Sequence, residues 1–192
     1  MSLQKLEKVG EEAFKKLEKI NSELFTMTYG SFVMQLLEDF EDPEEVNKQL
    51  DKIGFKLGQR LIDEYFSKSG NITKCKSFAE TAEHVAKIGF KMFLGVNAKV
   101  LSKNGGTDTN SFVISFEENP LIDFVELPPK YREKLNYSNI ICGVIRGCLD
   151  MIQMKVDCEY VKCPLKKEGD VSEIKVTLKE IVRETFKDDD KK

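Results

Sequence analysis

The chain has 192 residues, 41% of them apolar, with 30 lysines and arginines against 33 aspartates and glutamates and a net charge of −3. These values suit a single globular unit with a true core, and they give no electrostatic case for nucleic acid as a partner. MSLQKLEKVG holds no signal core, the five cysteines are odd in number, and the longest charge-free run, Leu24 to Leu37, is shorter than the ~18–20 residues of a membrane span; free thiols in a reducing compartment and at most peripheral membrane contact are therefore expected.

Residues 1–21 are dominated by Lys and Glu, with Leu3, Leu6, Phe14, Leu17 and Ile20 loosely on one face, and are expected to be a charged extension, a frayed helix or a partner-binding arm. Ser22 is expected to cap a helix reaching Phe40, with Phe25, Tyr29, Phe32, Val33, Leu36 and Leu37 as its apolar stripe. Glu41-Asp42-Pro43 ends it, and a second long helix runs from Pro43 to about Lys68. These two helices should pair antiparallel. A third spans Phe78 to Leu94 and stops at Gly95. Ala98–Lys103 and Ser111–Glu117 read as a hairpin around Asn104-Gly105-Gly106, Asn139–Met154 as a buried apolar helix, and Lys155–Lys162 with Ile174–Ile181 as a second hairpin. The pattern predicts an α+β domain over 22–182, with its four main helices packed on one face of an antiparallel sheet. Residues 183–192, ending in KDDDKK, are expected to be a disordered tail.

The stretch NITKCKSFAE carries the chain's first candidate for chemistry. Ser77 and Glu80 form a capping box, so Cys75 lies just before the positive end of a helix, between Lys74 and Lys76. A helix N-terminus and two ammonium groups both stabilise a thiolate and lower a thiol's pKa; the other reading is an exposed cysteine in a polar loop. A Cys–His dyad is not expected. The single histidine, His84, lies roughly 10 Å or more along a helical path from Cys75 and reads as a solvated surface residue. Cys142, Cys148, Cys158 and Cys163 lack metal-ligand spacing and read as small buried hydrophobes, and no phosphate-binding glycine loop is present. Gly54 with Gly58, and Gly143 with Gly147, suit close helix packing or a subunit interface, while Arg146 is expected to pair with Asp150. Phe78, Ala82, Val85, Gly89, Met92 and Phe93 make the inward stripe of the third helix, running about 20 Å from Cys75. A glycine inside a helix costs about 1 kcal/mol relative to alanine, so Gly89 implies either a space kept open, of a length that a palmitoyl chain spans, or a close helix crossing.

ELFTMTYGSFVMQL, VNKQLDKIGFKLGQRLI, KCKSFAETAEHVAKIGFKMFLG, ENPLIDFVELP and YSNIICGVIRGCLDMIQMKV closely resemble, in collinear order over Ser22 to Ile181, the subunit-three (Bet-three) family of the transport protein particle, TRAPP. The resemblance implies helices on one face of a four-stranded antiparallel sheet, and dimers, with itself or with related small TRAPP subunits, formed mainly through the first helices. It implies a palmitate in thioester linkage to Cys75, its chain in an internal channel lined by Phe78, Ala82, Val85, Gly89, Met92 and Phe93, with Lys74 and Lys76 stabilising the thiolate. It further implies a cytoplasmic protein, peripheral on cis-Golgi and endoplasmic reticulum membranes, in a vesicle tether that promotes nucleotide exchange on a Rab GTPase only as an assembly. The subunit alone is then no catalyst beyond slow self-acylation. Lys74 stands where the family usually has arginine, which keeps the charge and loses the bidentate fork. Gly89 replaces a frequent alanine, and residues 1–21 and the acidic tail, whose counterpart lies near the Rab site, do not match. A free-standing carrier of fatty acyl chains and a thiol enzyme are the alternatives from other classes.

Overall fold

The computed structural model describes residues 2–70, 75, 77–101, 110–166 and 169–182. Helix α1 is Leu3–Lys16, and α2, Ser22–Phe40, is capped by Asn21, whose side chain accepts from the Leu24 N–H at 2.8 Å; the cap falls one residue before the expected Ser22. Helix α3, Pro43–Ser69, starts with Asp42 accepting from the Glu44 N–H, Pro43 in its first turn, and Glu44 and Glu45 at its positive end. The third predicted helix comprises α4 (Phe78–His84), a π-helical turn (Val85–Gly89) and α5 (Phe90–Leu94), closed by Gly95 at φ 73°. A short helix α6 (Pro129–Arg132) precedes the apolar α7 (Ile140–Met151).

Strands β1 (Lys99–Leu101), β2 (Ser111–Phe116), β3 (Met154–Lys162) and β4 (Ser172–Ile181) form one antiparallel sheet in the order β1-β2-β4-β3. The Asn104-Gly105-Gly106 turn and the C-terminal tail lie outside the described residues. Alternation sorts the faces: Phe112, Ile114, Phe116, Ile174, Val176 and Val156 are buried, whereas Lys162–Glu173 at 2.8 Å and Lys179–Asp157 at 2.8 Å are ion pairs along the outer side. The main helices cover the apolar face, where Phe78 meets Phe112 and Phe90 meets Phe116 with ring centres 4.8 and 4.9 Å apart. The α+β layering expected from the sequence is therefore present.

The closest helix pair is α3 with α7. A Cβ placed on Gly54 or Gly58 would strike the carbonyl oxygens of Ile140 or Val144, and one on Gly143 or Gly147 those of Asp51 or Phe55. The two glycine pairs thus face each other, which makes them an intramolecular crossing. Arg146 bonds Asp51 of α3 at 2.8 Å and lies over the Phe55 ring, so the expected partner, Asp150, is replaced by one on the other helix. At the start of the pair the Asn47 side chain donates to the Lys134 carbonyl and accepts from the Asn136 N–H, both at 2.8 Å.

Residues 1–21, set apart as an extension by their charge, hold a helix that docks on the body. Leu6 and Ala13 are buried, Glu7 pairs with Lys87 at 2.8 Å, and Gly10 lets α1 lie against the Lys87 carbonyl in the π turn.

Candidate lipid-binding cavity

Between α2, α3, the α4–α5 helix and α7 lies a cavity of about 740 Å³. Leu57, Leu61, Ile62, Tyr65 and Phe66 of α3 form one wall, and Ile140, Ile141, Val144, Ile145, Cys148, Leu149 and Met151 of α7 another. Phe25 and Tyr29 of α2, and Val85, Gly89, Phe90, Phe93 and Leu94, close the rest. The walls owe their apolar character to helices that each carry more inward hydrophobes than one contact can cover. No Lys, Arg, Asp or Glu is among the described lining residues. The volume is in the range of about 300–1,000 Å³ typical of small-molecule sites, and the lining suits an aliphatic group.

Cys75, Val85, Gly89 and Phe93 are on the wall where the sequence put them. Phe78, Ala82 and Met92, assigned to the same wall by α-helical periodicity, are not: each is buried elsewhere, Phe78 against Phe112 of the sheet. The π turn accounts for the slip at Met92, whereas Phe78 and Ala82 precede it and turn to the sheet side of α4. The Phe90 N–H donates to the Val85 carbonyl, five residues back, so one extra residue enters the turn and the inward face rotates before α5. Gly89, the last residue of that turn, lines the cavity, and a Cβ there would meet nothing within 4 Å. Of the two readings of Gly89, open space is the one the structure contains.

Two further corrections concern titration. His84 is buried, not solvated, and its Nδ1 lies 3.0 Å from the Tyr65 hydroxyl across the cavity wall. Burial pushes the imidazole pKa below its ordinary value. The Cys75 thiol, expected to ionise easily, is instead raised above its ordinary value; burial is the main cause, opposed by a hydrogen bond from Thr81, with the Glu80 carboxylate raising it further. Lys74 and Lys76, named as its stabilisers, lie outside the described residues. Cys148 also lines the cavity, its thiol pushed up to about 12 by burial. Neither the α7 wall nor the Tyr65–His84 pair was anticipated. The apolar faces of α3 and α7 were visible in the sequence, but which residues they would set opposite the third helix was not.

Comparison with known proteins bears on the whole chain. Residues 25–177 match the sequence profile of the transport protein particle (TRAPP) component family. Trafficking protein particle complex subunit 3 of Dictyostelium discoideum is 56% identical over 93% of this chain and 94% of its own. The chain belongs to the TRAPP subunit 3 family. A second relative in that family, transport protein particle subunit bet3 of Schizosaccharomyces pombe, is 47% identical over 92% of this chain and 94% of its own. Among solved structures, a TRAPP subunit 3 from Naegleria fowleri, crystallised covalently bound to palmitic acid, superposes with a TM-score of 0.80 at 57% identity, covering 87% of this chain and all of that one. The phenol-responsive sensory domain of PoxR, with a TM-score of 0.54 at 10% identity, shares the fold alone.

Proposed function

We propose that this TRAPP-family chain is a non-catalytic core subunit of a vesicle-tethering complex in endoplasmic reticulum to Golgi transport, and that it carries a palmitoyl group in thioester linkage to Cys75 with the chain lying in the cavity. In this reading the subunit is part of the scaffold on which a Rab GTPase exchanges nucleotide, and it works on the cytoplasmic side, peripheral to cis-Golgi and endoplasmic reticulum membranes. The observation that supports it most is Cys75 on the wall of an apolar cavity that a glycine keeps open, in a chain 57% identical to one bound covalently to palmitic acid. No described helix is long and apolar enough to cross a membrane, and the acyl chain here would fill the interior and would not anchor the protein.

The test is intact mass. A palmitoyl-sized increment that hydroxylamine removes, and that Cys75→Ser lacks, is the expected result; an unmodified Cys75 in protein from its native host overturns the lipid part. Gly89→Leu sharpens the placement, because a leucine side chain would project into the cavity. It is expected to abolish acyl occupancy with circular dichroism unchanged, and normal occupancy would put the acyl chain elsewhere. The cavity by itself also suits a free-standing acyl carrier, which would release lipid to organic solvent without hydroxylamine.

Leu24, Met27 and Met34 form a stripe along α2 with exposures of 64, 68 and 57%. This is the face proposed to pair with another small TRAPP subunit or a second copy, since a contiguous exposed apolar stripe marks an interface. Met27→Glu with Met34→Glu is expected to convert dimer to monomer in light scattering, without loss of helical signal. An unchanged mass would remove α2 as the pairing face. Affinity purification that recovers no other small TRAPP subunit would count against the scaffold role itself.

A further inference from the structure

We propose that Tyr65 and His84 are the proton-accepting pair for transfer of a long-chain acyl group from a soluble acyl thioester to Cys75, an inference that rests on the acylation reading above. Tyr65, Cys75 and His84 are three of the few polar side chains on an otherwise apolar cavity wall. The Tyr65 hydroxyl lies 3.0 Å from Nδ1 of His84, and Cys75 lines the same cavity as both. Thr81, which also lines the cavity, and His84 are three residues apart on α4, so both stand on the same side of that helix.

The protonation states suit the role. Burial holds the thiol protonated at neutral pH, so it needs a base to become a nucleophile; burial also keeps His84 neutral there and so able to accept. Groups facing the pair are Glu80 on α4, which favours the imidazolium, and Cys148 on α7 beside Tyr65. In the step, the Cys75 S–H proton passes to the Tyr65 oxygen as the Tyr65 O–H proton passes to Nδ1 of His84. The sulfur attacks the donor's carbonyl carbon, and the donor's C–S bond breaks. The leaving thiolate regains the proton through Tyr65. One thioester is broken and one formed, with no oxidation.

The experiment uses the full chain stripped with hydroxylamine and given palmitoyl-coenzyme A, with the acylation rate followed by intact mass from about pH 6 to about pH 10. Wild type is expected to be nearly flat from neutral pH upward, because neutral His84 is present throughout that range. His84→Val and Tyr65→Phe are each expected to be about 100-fold slower at neutral pH. Their rates should climb about tenfold per pH unit as the thiol ionises by itself, approaching wild type in alkali. Wild-type rates in both variants overturn the proposal. So does a loss by the same factor at every pH, which is the mark of a packing defect. If wild type gains no mass, or Cys75→Ser gains the same mass, the acylation reading has failed together with this one; defects confined to the neutral range in the two variants support both.

Discussion

Gly147→Ala is expected to destabilise the protein by about 2–3 kcal/mol, seen as a melting temperature lower by roughly 5–10 °C. The added methyl would strike the Phe55 carbonyl oxygen and its backbone neighbours on α3, which are main-chain atoms that cannot rotate away. The helices would have to separate, disturbing the Arg146–Asp51 bond and the hydrogen bond from the Cys148 thiol to the Gly58 carbonyl at 3.2 Å. Alanine's helix propensity, worth about 1 kcal/mol over glycine, acts the other way and is already allowed for. Gly89→Ala, compared with wild type after hydroxylamine treatment of both, is the internal control: the methyl meets no protein atom within 4 Å, so propensity alone should act and raise stability by about 0.5–1 kcal/mol. Equal and small effects at the two sites would mean that the α3–α7 crossing tolerates a wider spacing than its geometry implies.

Removing the acyl group is expected to cost more. Burying ~14 methylenes at ~0.8 kcal/mol each gives a gross contribution of roughly 11 kcal/mol relative to an unfolded chain with the tail in water. Ordering the tail takes back part of that, leaving several kcal/mol, or a melting temperature lower by on the order of 10 °C in Cys75→Ser or after hydroxylamine. The walls around the tail are helices held by contacts with one another, α3 on α7 above all, so the loss should appear as lower stability with the secondary structure retained. Coincident melting curves for acylated and stripped protein would mean that the tail does not lie among these side chains.

Much of the fold was legible because it is local. Asp42 with Pro43, Ser77 with Glu80, and Gly95 mark helix ends through their own backbone chemistry, and α3 begins at Pro43 and α4 at Phe78 as those signals require. The two hairpins followed from β-prone runs on either side of turn signals. Cys75 and Gly89 stood out for the same kind of reason, one by its position before a helix and the other by its cost within one. The errors have a common origin. Met92 was placed on the cavity wall by a strict α-helical period, and the π turn shifted the register where α1 and the cavity press on the two sides of that helix. His84 was read as solvated because its sequence neighbours are polar; α3 covers it and supplies Tyr65.

The sequence by itself determined the order of the main elements, most of the helix ends, and the thiol and glycine on which the proposed lipid site depends. Those features are set by neighbours within a turn or a strand, where capping, propensity and period act. Only the tertiary structure decided that the paired glycines close α3 onto α7, that Arg146 answers Asp51, and that a buried thiol shares its cavity with a tyrosine and a histidine. Those outcomes depend on which surfaces meet, and burial, which sets the charge state of Cys75 and His84, exists only once they have.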